Sequence, residues 1–131
     1  MAHVGSFDHL VYMEPFKVEP KVELWDTPPN YRRFPAGEGL PDQMKVWRIQ
    51  NVAEKGKASG GSVVSPYRMA ERQGAEILAA GMSTSKGYGG IGVARYGHLL
   101  YWGYSGMPEQ MTDAGKNFFV NSIFYMNKVG K

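Results

Sequence analysis

The sequence predicts an α/β domain, a small mixed β-sheet flanked by helices, closing with a hairpin and a helix. Three observations predict it. Residues 91–95 and 98–104 are apolar, β-like runs on either side of a Tyr96-Gly97 turn, the pattern of an antiparallel hairpin. Thr112 opens an aromatic stretch to Met126 with apolar residues at helical spacing. A helix-like segment, 66–73, is followed within two residues by an apolar run, 76–80, which is the grammar of helix then strand.

A chain of 131 residues suits one domain, 1–131, with an extended arm and loops over 1–44 and the α/β core over 45–131. Fifteen basic and twelve acidic residues give a net charge of +3 without any basic block, which argues against a dedicated nucleic-acid binder. There is no Cys, so disulfides, thiolate zinc sites and a cysteine nucleophile are excluded. The first residues lack a basic stretch followed by a long apolar run, the mark of a signal peptide. No run approaches the ~20 apolar residues of a membrane span. A cytoplasmic protein with no membrane attachment is the expectation.

In order, residues 10–13 are a short apolar run. The alternation over 16–24, bracketed by Pro15 and Pro20, suggests an edge strand, since proline cannot donate to a ladder. Residues 25–44 are rich in Pro and Gly and read as a covering arm pinned by Trp25, Tyr31 and Phe34, or as a binding loop. A short strand is expected at 45–49. Residues 55–62 are a basic, Gly-rich loop without the Gly-Lys-Ser/Thr ending of a phosphate loop. Ser65 as N-cap, Pro66 at the first helical position and Gly74 just past the end bound the helix 66–73, with Tyr67, Met69 and Ala70 inward. Thr112 is the expected cap of the last helix and Asp113 suits its first turn. Phe119, Ile123 and Met126 share one face of it, widened by Phe118, Val120 and Phe124.

The glycine run 87–92 has the glycine count of a dinucleotide loop but leads into a strand, so no helix N-terminus meets a phosphate. Its glycines instead permit a bulge or a close strand approach. Lys86-Gly87-Tyr88-Gly89 begins like an RNA-recognition signature, yet Gly90 and Val93 stand where stacking aromatics are needed. The three His residues show no metal-ligand spacing, so no metal is expected, and no cofactor is implied. His98 lies beside Arg95, Tyr101 and Trp102, and strict alternation would put it on the face of Leu100 and Trp102. It is a candidate acid or base with Glu109, or else a packed residue. Arg95, His98, Trp102 and Tyr104 are the candidate ligand contacts, because Trp and Tyr line sites for sugars and planar molecules.

Segments 74–79, 92–104 and 111–126, with a fainter match at His9-Leu10-Val11-Tyr12, resemble the C-terminal half of ThuA-like (trehalose-utilisation) proteins. The resemblance implies a class I glutamine amidotransferase-like, flavodoxin-like fold, here partial, because the early half with its nucleophile elbow has no counterpart. Without Cys, no Cys-His-Glu triad carries over, and the resemblance transfers no catalytic residue. A partial fold leaves an open strand edge, which implies a homodimer, a larger homo-oligomer or a separate chain that completes it. Three functions follow as expectations. The first is a stand-alone ThuA-like domain binding a small polar ligand or a partner protein. The second is a hydrolase of a sugar or related small substrate, with His98 and Glu109 as acid and base. The third is a single-stranded nucleic-acid module using Lys86, Tyr88, Arg95 and Tyr96. All three require the Trp102 ribbon to lie on the terminal helix, with Trp102 and Phe119 touching.

Overall fold

Two antiparallel three-stranded sheets and one long helix carry the fold in a computed structural model that describes residues 2–5, 7–51, 74–82, 88–104 and 107–129. The strands are β1 Ala2–His3, β2 Val22–Asp26, β3 Gln43–Trp47, β4 Ala75–Ala80, β5 Ile91–Tyr96 and β6 Leu99–Trp102, and the helix is α1 Asp113–Val129. The first sheet has the order β1-β3-β2, with Val22 opposite Trp47 and His3 opposite Val46. The second has the order β4-β5-β6. Among the described residues a single bridge, Ala2 to Gly81, joins the two. Helix and strand combine as the sequence suggests, but in place of the one mixed sheet expected there are two. Every strand pairing among the described residues is antiparallel, because no crossover between the paired strands of either sheet brings them round in parallel.

Several boundaries move. The edge strand anticipated over 16–24 is at the sheet edge but runs only over β2, because Pro20 delays the ladder and Trp25 needs the buried side. β3 lies two residues earlier than the 45–49 expected. The irregular connection contains short 3-10 turns at Pro29–Arg33 and Pro35–Gly37. Trp25 and Tyr31 pin it as anticipated, whereas Phe34 is exposed. The expected helix 66–73 and the loop 55–62 lie outside the described residues.

The hairpin is present but shifted by one residue. Tyr96 faces Leu99, so the two-residue loop is Gly97-His98 rather than Tyr96-Gly97. Gly97 takes φ +58°, which a residue without Cβ adopts freely, and this fixes the turn there. His98 therefore sits in the loop, not on a strand face.

Thr112 caps α1 as expected: its Oγ1 accepts from Gly115 N at 3.0 Å and donates to Arg48 O at 2.6 Å. The buried stripe of α1 is Gly115, Phe118, Asn121, Ser122 and Tyr125; of the expected face Phe118 is buried, while Phe119, Val120 and Met126 are only half-buried. Ile123 and Phe124 are exposed. The inward stripe contains small and polar residues because each has a local task. Gly115 lets the helix lie on the backbone of Ile49. Asn121 donates to Val11 O (2.9 Å) and Phe16 O (2.6 Å) and accepts from Phe16 N (3.0 Å), fastening the N-terminal loop to the helix.

Phe118 is the centre of the core. It stacks on Tyr12 with ring centroids 4.8 Å apart and meets Trp47 at 5.8 Å and Trp102 at 5.6 Å, so one ring touches both sheets. Burying such a side chain contributes about 2–3 kcal/mol. Trp102 also meets Phe119 at 5.0 Å, edge to face, so the ribbon lies on the terminal helix as the sequence required.

Candidate functional site

After β1 the chain crosses to the 3-10 turn Leu10–Tyr12 and leaves a cleft of about 320 Å³ against β4. His3, His9, Tyr12, Tyr88 and the strand stretch 77–80 line it. Its volume falls within the range of small-molecule sites.

His3 is carried into the interior by β1 and is 6% exposed. Its Nε2 and the Tyr31 hydroxyl are 2.7 Å apart, and its ring meets Tyr31 and Tyr88 at centroid distances of 5.7 and 5.5 Å. Its Nδ1 is buried and has no hydrogen-bond partner among the described residues. Burial, with a smaller contribution from the N-terminal charge, pushes its pKa down to about 4, so the ring is neutral at pH 7. A neutral imidazole always has one donor and one acceptor, and here one of the two is unused.

At the other end His9 caps the start of the 3-10 turn. Its Nδ1 accepts from Val11 N at 3.1 Å, which leaves Nε2 to carry the proton toward Glu76 Oε1 at 3.4 Å. Glu76 Oε2 accepts from Arg95 Nε at 2.8 Å and from the Tyr125 hydroxyl at 2.5 Å. Burial alone would raise the Glu76 pKa. The Tyr125 hydroxyl, the Arg95 guanidinium and the His9 ring outweigh it and hold the carboxyl below its usual range. Tyr125 moves the other way, raised by burial and then by the neighbouring carboxylate. With three donors on Glu76 and both His9 nitrogens engaged, the cluster is a clasp. It ties the N-terminal segment, β4, β5 and α1, and leaves no free base.

Two phenols bond to the carbonyls of β4, Tyr12 from the cleft wall and Tyr104 from the interior. Between Ile77 and Ala80 the β4–β5 register shifts. There the Tyr12 hydroxyl donates to Leu78 O and the Tyr104 hydroxyl to Ala80 O at 3.0 Å. Burial raises both phenol pKa values. Tyr104 reaches β4 across Gly92, where a Cβ would lie 2.1 Å from its hydroxyl oxygen. This is the close approach that the glycine run permits.

Of the sequence-nominated residues, Trp102 and Tyr104 come together, but the set does not converge on one site. Arg95 is held by Glu76 and Gly97 O. Trp102 packs on α1, and Tyr104 is buried 5.5 Å from it, ring to ring. His98 is exposed at the hairpin tip and Glu109 is exposed in the 3-10 turn Pro108–Gln110, and no hydrogen bond or ion pair joins them. Of the nucleic-acid candidates, Tyr88 is in the cleft wall, Arg95 is in the clasp, Tyr96 is exposed on β5, and Lys86 lies outside the described residues. Sequence reading missed His3, His9 and Glu76 as site residues. The available signal was that His3 and His9 are two of only three histidines, both in the first ten residues.

Among the described residues no three His, Asp or Glu side chains gather as a metal site, and no helix is long and apolar enough to cross a membrane. No protein-family model, curated protein or solved structure matches the chain.

Proposed function

We propose that the chain is a stand-alone binding domain of the ThuA-like kind, taking a small uncharged polar molecule in the cleft between its N-terminal segment and β4. The observation that carries this reading is His3, a buried neutral imidazole with one nitrogen unpartnered, in the wall of a 320 Å³ cleft. A buried polar atom without a partner is costly, and a ligand that completes it recovers that energy. Among the described residues no carboxylate, lysine or arginine lines the cleft, so nothing there offsets the desolvation of a charged ligand. Tyr88, 40% exposed, offers a ring face at the mouth. The ThuA-like resemblance supports a binding role in its own way, since it carries no catalytic residue into this chain. The hydrolase reading draws no support from His98 and Glu109, which stand on separate exposed turns.

The test is a titration of the ¹⁵N-labelled chain with a panel of neutral monosaccharides and nucleosides, observing the histidine ring nitrogens. A saturable shift at His3 is expected, lost in His3→Phe, which keeps an aromatic ring but no acceptor or donor. Retention of the native circular dichroism by that variant separates lost binding from lost fold. Failure of every panel member to move the His3 resonances, or equal binding by His3→Phe, overturns the reading.

A further inference from the structure

The helix α1 carries two apolar stripes, and the core uses only one. Phe118 and Tyr125 face inward, while Val120, Ile123 and Phe124 form a second row at i, i+3 and i+4. Ile123 is 53% and Phe124 56% exposed. A surface helix ordinarily confines its apolar residues to one side, and one that has them on both sides is built to be covered twice. Phe124 opens onto a groove of about 550 Å³ between α1 and the loop after Leu10, with Leu10 and Pro15 as its other apolar walls. Met13 and Phe16, on the same loop, are each half exposed, and Asn121 holds Phe16 against the helix by two hydrogen bonds.

The rim of this groove carries one carboxylate, Glu14, on the loop side and one ammonium, Lys128, on the helix side, 3.5 Å apart and both more than half exposed. Such an exposed pair contributes little within one chain. Its arrangement has a further property. A two-fold axis through the groove would set each Glu14 against the Lys128 of the other copy, while Phe124 of each copy enters the apolar groove of the other. An isologous interface needs this kind of self-complementarity: the same patch on both sides, with opposite charges in reciprocal positions.

We infer that the outer face of α1 is a homodimer interface, with a second copy of this chain as its occupant. The inference is independent of the ligand cleft, which none of these residues lines.

The experiment is sedimentation velocity on the full chain across a concentration series from 1 to ~200 µM, bracketing ordinary homodimer affinities. The chain is expected to reach the dimer mass within the series. Phe124→Glu is expected to remain monomeric throughout. Glu14→Lys and Lys128→Glu should each weaken association at least tenfold, since each places like charges together twice. An equimolar mixture of these two variants should recover the dimer, because the reciprocal contacts are then opposite in sign. All three substitutions are at exposed positions, and circular dichroism melts verify the fold. A wild-type chain that stays monomeric overturns the inference, as does wild-type-like association by either charge variant, or a mixture no tighter than its components. A dimer that survives Phe124→Glu places the interface elsewhere and also overturns it.

Discussion

His3 has a consequence that acid should expose. Its native pKa is near 4 against an ordinary value of 6.5, so between those limits the unfolded chain binds a proton that the folded chain refuses. Stability is therefore full above about pH 6.5, falls as the pH drops, and levels off below about 4. The total loss is about 3 kcal/mol. Urea titrations at pH 7 and pH 4.5 should show most of that difference in the native chain and much less in His3→Gln. Glu76 does not confound the window, because its lowered pKa places its own loss below the ordinary carboxylate value of 4.5. A variant with the same acid slope as the parent would remove His3 as the cause. The sequence showed the histidines but not this behaviour. What makes His3 buried and neutral is Tyr31 and Tyr88, far away in the chain and brought alongside only by the fold. Asn121 was hidden for a related reason. In a periodicity count it is a polar residue on a helix, and its inward direction appears only when Val11 and Phe16 stand opposite it.

At the scale of elements, α1 shows what was readable and what was not. Its start was legible because the Thr112 cap and Asp113 act through the helix's own first turn. Its buried face was not, because the aromatic residues alone define two stripes and Gly115 decides between them. A Cβ at Gly115 would stand 2.0 Å from Ile49 O. Gly115→Ala should thus lower stability by roughly 1–3 kcal/mol, although the same change at an exposed helical position would add about 1 kcal/mol. The urea midpoint measures this, and a gain would show that α1 is not seated on Ile49. The hairpin was likewise legible to within one residue, since two apolar runs around a glycine announce themselves. Only the ladder, with Tyr96 opposite Leu99, assigns the turn to Gly97-His98.

For the molecule as a whole, the sequence disclosed the meeting of ribbon and helix but not the division into two sheets. The pairing of β1 with β3 and the bridge from Ala2 to Gly81 join segments remote in sequence, and no local pattern encodes them. Phe118, touching Tyr12, Trp47 and Trp102, packs the two sheets against one ring, in addition to the bridge from Ala2 to Gly81. The phenols of Tyr12 and Tyr104, which serve the carbonyls of Leu78 and Ala80, set a limit at the opposite end of the pH scale. Both are held protonated by burial, whereas in an unfolded chain they ionise near pH 10. Their contribution is whole below that value and drains away as alkali is added. At least these two of the eight tyrosines should therefore stay silent in the ultraviolet tyrosinate band until the backbone signal itself collapses, and then appear in the same step. Early, reversible appearance of all eight would mean that base reaches those rings without opening the fold.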